Sequence, residues 1–166
     1  MGYQEFTKLG LVAQHDTHIH GAQATGCSPI STAQKAGLDF FKPVKPDTIA
    51  KSLAIGTPAD GFYALKVMRE TNAAADDVTD DEIRDAIKLL AETEGIFAET
   101  AGGVTVGVAK KLIASGKIPK DSSAVICVNR QRPQDLGRRQ RFTATNRAKS
   151  SRACASSRRC WRMKKK

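Results

Sequence analysis

The charge of this 166-residue chain breaks at one place. Residues 129–166 hold ten Arg and four Lys against a single acid, Asp135, a net of +13, and their only branched aliphatic residue is Leu136. The preceding 128 residues hold 13 basic and 16 acidic residues, a net of −3. A segment composed like residues 129–166 cannot bury enough apolar surface to offset the entropy of ordering it. Any packed domain must therefore come from residues 1–128, with 129–166 a basic tail of low order.

Within 1–128 the hydrophobic pattern alternates between strand-like and helical. Residues 19–24 read as a short strand, and a helix from Ser28 or Pro29 to Lys35 should stop at Gly37. Residues 40–58 carry Pro43, Pro46 and Pro58, and read as an irregular crossing. Asp60 is placed to cap a helix over 61–71 that buries Tyr63, Leu65, Val67 and Met68. Thr79 and Glu82 have the spacing of a capping box, followed by Ile83, Ala86, Ile87 and Leu90 on one helical face and a stop at Gly95. Residues 96–98 read as a buried strand. Thr100 should cap a helix through Val104, Val108 and Leu112 to Gly116, and residues 124–128 read as an inner parallel strand. The expected fold class is α/β: a partial, open, mainly parallel sheet with flanking helices.

Few residues offer chemistry by themselves. His15, His18 and His20 lie within six positions, but no second ligand cluster accompanies them, so ordinary loop and strand roles outweigh metal binding. Four cysteines lack any C-x-x-C pair and read as reduced thiols. Gly102 and Gly103 at a helix start could admit an anion to backbone N–H groups; tight helix–strand packing is the stronger reading. No apolar run reaches the roughly 18 residues of a membrane span. The N-terminus lacks the apolar core of a secretory signal, so a cytoplasmic location is expected.

Three longer blocks say more. His20-Gly-Ala-Gln-Ala-Thr-Gly-Cys-Ser-Pro29, the run from Lys45 through Lys51-Ser-Leu-Ala-Ile-Gly-Thr-Pro-Ala-Asp-Gly61, and Glu94-Gly-Ile-Phe-Ala-Glu-Thr-Ala-Gly-Gly-Val-Thr105 stand in the order and spacing of threonine synthases. Residues 2–128 thus resemble the C-terminal part of that pyridoxal-phosphate-dependent family, a lyase of fold type II. The resemblance implies pyridoxal 5'-phosphate as cofactor and O-phosphohomoserine as substrate, converted with water to threonine and phosphate. It implies that the cofactor's Schiff-base lysine and glycine-rich phosphate loop lie upstream of Gly2, so no catalytic residue is assigned here and the fragment is expected to be inactive alone. Without those upstream strands, the apolar faces of Ile96 and Phe97 and of Val125 and Ile126 should lie uncovered. Glu99 and Thr100 match the family segment that lines the cofactor cleft. A helix-dipole role for Glu99 is an equal alternative.

The resemblance stops at Val128. The family continues Thr-Gly-Asn-Gly-Leu-Lys-Thr, its threonine hydroxyl facing the cofactor's pyridine nitrogen, whereas Asn129 takes that threonine's place here. The codons AAC CGG CAA CGG CCT CAA GAC CTT G encode Asn129 to Leu136 and open Gly137. Read one base later, they encode the family motif. The tail is therefore expected to be out-of-frame translation. A rival reading makes it a nucleic-acid-binding arm, since its charge would attract polyanions nonspecifically, but it lacks repeated aromatic interleaving.

Overall fold

The computed structural model describes residues 2–128, within the first of two units, Met1–Arg130 and Gln131–Lys166. The elements are α1 (Gly2–Lys8), β1 (Gly21–Ala24), α2 (Pro29–Lys35), a short 3-10 turn (Lys51–Leu53), α3 (Gly61–Glu70), β2 (Ala75–Val78), α4 (Asp80–Thr93) and α5 (Thr100–Ala114). The two strands pair in parallel, Gly21 opposite Ala75 and Ala24 opposite Val78. A parallel pair requires a long crossover. Here α2, the proline-rich crossing and α3 supply it.

Alternation along the strands sends successive side chains to opposite faces. On one face, Ala24 and Val78 join Ala50, Ile83, Val104, Val108 and Leu112, a core built by α4 and α5. On the other, Ala75 joins Ala33, Leu65, Met68 and Ala73 beneath α2 and α3. The sheet is thus the middle layer of an α/β fold. Each fully buried leucine or isoleucine, such as Leu65, Ile83 and Leu112, contributes roughly 1.5–3 kcal/mol by leaving water.

The end of each helix has a local cause. The Thr79–Glu82 capping box forms as expected: the Thr79 hydroxyl accepts from Glu82 N–H, and the Glu82 carboxylate accepts from Thr79 N–H at 2.8 Å. Gly37, Gly95 and Gly116 follow α2, α4 and α5 with φ of 68°, 68° and 73°, the left-handed turn that releases a helix. α2 starts differently. Ser28 gives it no side-chain cap; instead the Gln23 side-chain oxygen, reaching from β1, accepts from Ile30 N–H and Ser31 N–H at 2.9 Å each.

Two expected caps do not form. Asp60 stands at the N-cap of α3 with φ −99° and ψ 18°, outside the extended geometry that turns a cap side chain onto the helix, and makes no such bond. Thr100 is already helical, so the N-cap of α5 is Glu99, which also makes no side-chain cap bond. Tyr63 is exposed and Val67 half-buried, so the buried stripe of α3 is Gly61, Leu65 and Met68.

The strand assignment changes more. Residues 96–98 and 124–128 form no strand, because neither run has a neighbouring strand among the described residues to satisfy its backbone. Ile96, Val125 and Ile126 stand exposed, as expected of apolar faces without a partner, whereas Phe97, also expected uncovered, is half-buried. Strand β2 and helix α1 were not foreseen. The predicted strand over 19–24 begins only at Gly21. No helix among the described residues is long and apolar enough to cross a membrane.

Candidate functional site

Ligands of open parallel sheets sit beyond the carboxyl ends of the strands. Here those ends are Ala24 and Val78. The ladder extends one step further, Thr25 N–H donating to Val78 C=O at 2.8 Å, and the chain then turns at Gly26. Gly26 C=O accepts from Asp47 N–H at 2.8 Å, which brings the crossing against the strand end. The first residue of α4 holds the crossing from the other side. The Asp80 carboxylate accepts from the Thr48 hydroxyl at 2.7 Å and from Ile49 N–H at 3.1–3.2 Å. Thr48 is only 3% exposed, so these bonds satisfy groups water does not reach.

A polar cluster lies beside this end. Lys35 Nζ stands 2.6 Å from an Asp76 oxygen and 2.5 Å from an Asp77 oxygen, and the Thr25 hydroxyl donates to Asp77 at 2.8 Å. Burial, the largest single influence, would push the two carboxyls up, but the Lys35 ammonium together with the Asp77 N–H on Asp76 and the Thr25 hydroxyl on Asp77 holds both below the ordinary range. Burial would likewise lower the Lys35 ammonium, yet its bonds to both carboxylates leave it raised. Lys111 Nζ donates to Glu82 at 2.8 Å and to Asp77 C=O at 2.9 Å, and the first of these depresses the Glu82 carboxyl. No local spacing in the sequence announces these contacts, because the partners lie 29 to 52 residues apart.

Glu99 and Thr100 come together at the start of α5, but in unequal settings. Glu99 is 5% exposed and extended, with φ −74° and ψ 175°; Thr100 is half-buried in the first turn. Ala101, Gly102 and Gly103 behind them are buried. The helix dipole there favours a negative group, whether the Glu99 carboxylate or an anion. Gly103 has another use: a Cβ there would lie 2.7 Å from Ile87 Cγ1 and 2.8 Å from Ile83 C=O, so the missing side chain lets α5 press against α4. The expected helix–strand contact is made one turn later, where Gly107 faces Val78. Asn129 lies outside the described residues.

Covalent attachment of pyridoxal phosphate needs a lysine that can lose its proton, which burial favours and ion pairing opposes. Every described lysine is exposed except Lys111, which is half-buried and ion-paired. Lys35 is shifted in the wrong direction by its two carboxylates. The described residues therefore do not fit the covalent anchor of that cofactor.

Two of the three histidines, His18 and His20, are engaged by backbone, and His15 is exposed. His18 Nδ1 lies 2.6 Å from Thr71 C=O, to which it can only donate, while His20 Nδ1 accepts from Ala74 N–H at 3.1 Å. Among the described residues, no three His, Cys, Asp or Glu side chains are grouped to hold a metal ion. Burial, and secondarily the neighbouring His18, pushes His20 below its usual 6.5. The unfolded imidazole therefore takes its proton first as pH falls, and that costs folded stability. The Tm is expected to be highest above pH 6.5 and to decline as pH drops toward the lowered folded value. His20→Gln should flatten that decline in melts recorded from pH 8 to 5; an unchanged slope would assign the effect elsewhere.

Comparison with known proteins gives the family. A family model described as "Pyridoxal-phosphate dependent enzyme" matches residues 2–129. The chain belongs to that family. It is 38% identical over 128 residues to a threonine synthase of Methanosarcina acetivorans, covering 76% of this chain and 31% of that protein. It is 46% identical over 84 residues to a threonine synthase of Halalkalibacterium halodurans, covering 51% of this chain and 23% of that protein. The chain thus spans no more than about a third of the length of these curated relatives. Among solved structures, a fungal L-serine ammonia-lyase from Rhizomucor miehei superposes with a TM-score of 0.51 at 19% identity, over 74% of this chain and 37% of that one, a likeness of fold alone.

Proposed function

We propose that residues 2–128 are the C-terminal portion of a threonine-synthase fold, forming one wall of the cleft in which pyridoxal phosphate and O-phosphohomoserine meet. The observation that carries this reading is the 38% identity with a threonine synthase sustained over 128 residues. Pyridoxal phosphate, when bound, supplies an electron sink for carbanion chemistry at the substrate. The part of this chain is to shape and charge the wall. Glu99 and Thr100 stand at its rim, and the crossing tied to Asp80 holds the strand ends in place. The reaction is the conversion of O-phosphohomoserine and water to threonine and phosphate, and these residues do not perform it alone, because none of the described lysines is both buried and free of an ion pair.

The expected result is that the purified chain, mixed with pyridoxal phosphate and O-phosphohomoserine, forms no threonine and shows no visible absorbance from covalently held cofactor. Threonine release by this chain alone would overturn that half of the proposal. Combining it with the part of the Methanosarcina acetivorans threonine synthase that precedes its matched segment is expected to give cofactor binding, which Glu99→Ala then weakens.

Residues 129–166 belong to the same proposal as out-of-frame translation of the enzyme's end. The nucleotide sequence decides it: codons for Asn129 to Leu136 that give no Thr-Gly-Asn-Gly in a shifted frame would refute it. The +13 charge supports the competing arm that binds nucleic acid. That reading requires tight RNA binding at physiological salt that disappears when the chain is cut after Val128.

A further inference from the structure

Four consecutive residues leading into β1 hold the turn between α3 and β2. His18 Nδ1 lies 2.6 Å from Thr71 C=O, and Ile19 N–H donates to the Thr71 hydroxyl oxygen at 3.2 Å. Ala74 N–H donates to His20 Nδ1 at 3.1 Å, and Gly21 N–H donates to Ala74 C=O at 3.0 Å. Ala74 is thus gripped at both of its backbone groups, by the His20 ring and by the Gly21 amide. The turn needs support, because Asn72 sits in the left-handed region at φ 46°, which a residue with a side chain enters only at a cost.

The four bonds differ in what a proton does to them. Ile19 and Gly21 use backbone amides, which do not titrate near neutral pH. His18 donates to a carbonyl, and an imidazole can do so in either charge state. His20 accepts, and a ring nitrogen accepts only while it carries no proton. The neutral ring already holds its proton on Nε2, so a second one must go to Nδ1 and would set it against Ala74 N–H.

The ionisable groups of the surrounding elements have other partners. On the same segment, the His18 ring lies 6.3 Å from that of His20, Asp16 lies 3.7 Å from His18 Nε2, and His15 is exposed. At the end of α3, Arg69 pairs with Asp39, and Glu70 with Lys66 at 3.8 Å. At the start of β2, Lys35 holds Asp76 at 2.6 Å. Residues 71–75 carry no charged side chain. Burial is the largest influence on the His20 ring and opposes its charge; the Ala74 backbone favours charge, His18 opposes it, and the ring is held below its usual 6.5.

We propose that His20 is an acid-released latch: on taking a proton it lets go of Ala74, and residues 20–21 part from 73–74 while His18 and Ile19 keep their hold on Thr71. The opening is confined to the amino ends of the strands. At the other end, beside the candidate site, the 2.8 Å bond from Thr25 N–H to Val78 C=O and the 2.9 Å bonds of Gln23 to the start of α2 stay closed.

Amide hydrogen exchange of the full chain, read residue by residue by NMR from pH 8 to 5, tests this. After correction for intrinsic exchange, protection at Gly21 and Ala74 should be steady above pH 6.5, the ordinary histidine value. Below it, protection there should fall by about tenfold per pH unit at the steepest, while Thr25 and Ile30 hold theirs. His20→Asn puts a carbonyl oxygen where Nδ1 stands and takes no proton in this range, so its Ala74 protection should not vary with pH. Constant Ala74 protection in the parent would overturn the latch, as would wild-type pH dependence in His20→Asn. Loss at Thr25 in step with Ala74 would mean global unfolding and would overturn it too. Should His20→Asn not fold, the His20 ring signals of the parent decide. They must titrate over the range in which Ala74 loses protection, and a ring that titrates while Ala74 stays protected refutes the release.

Discussion

Gly26→Ala is expected to abolish the cooperative melt of this fold or lower its stability by about 3 kcal/mol or more. A Cβ at Gly26 would lie 1.6 Å from Asp47 C=O oxygen and 2.6 Å from the Asp47 carbonyl carbon. Both are backbone atoms, so no rotamer change relieves the overlap. The crossing must move away, which also breaks the 2.8 Å bond from Asp47 N–H to Gly26 C=O, worth about 1 kcal/mol. Against a total of roughly 5–15 kcal/mol for a domain, the loss is severe. Thermal unfolding followed by circular dichroism measures it. Gly2→Ala, with nothing within 4 Å of the added carbon, is the control and should melt like the parent. A Gly26→Ala protein that also melts like the parent would mean the crossing is not seated on this turn.

Asp80→Ala should cost about 2–3 kcal/mol, for a reason unrelated to its exposed neighbour Asp81. Its carboxylate accepts from the Thr48 hydroxyl and Ile49 N–H, and the Thr48 hydroxyl in turn accepts from buried Ala50 N–H at 3.2 Å. Truncation leaves donors without acceptors in a place water does not reach. Asp80→Asn keeps one carbonyl acceptor and should recover part of the loss. Denaturant melts rank the three proteins. If alanine and asparagine are equally mild, the crossing is held by packing and the carboxylate is incidental.

These two positions mark where the sequence stops being legible. The Thr79–Glu82 capping box, the stop at Gly95 and the span of α5 to Gly116 were readable because helix ends depend on residues within one turn. Asp80 stands inside that same capped turn, yet its partners lie 31 and 32 residues away, beyond any local pattern. Strand β2 was hidden by Asp76 and Asp77, residues that strands disfavour and that here survive because Lys35 and Lys111 neutralise an edge. Conversely, residues 96–98 and 124–128 are apolar enough to be read as strands. Strand formation also needs a neighbour, and the described residues hold none for them. Glu99 and Thr100 were singled out through motif resemblance alone. Periodicity could not have singled them out, since the helix they begin is apolar nearly all round.

The glutamine that reaches from β1 to the start of α2 also bears on how the fold assembles. A seven-residue helix is far too short to persist alone in water. Its first free N–H groups are met by Gln23, and Gln23 is in position only when β1 is extended against β2. Helix α2 therefore cannot precede the strand pairing in folding, nor outlast it in unfolding. The two should open as a single unit, their amides exchanging with one common free energy.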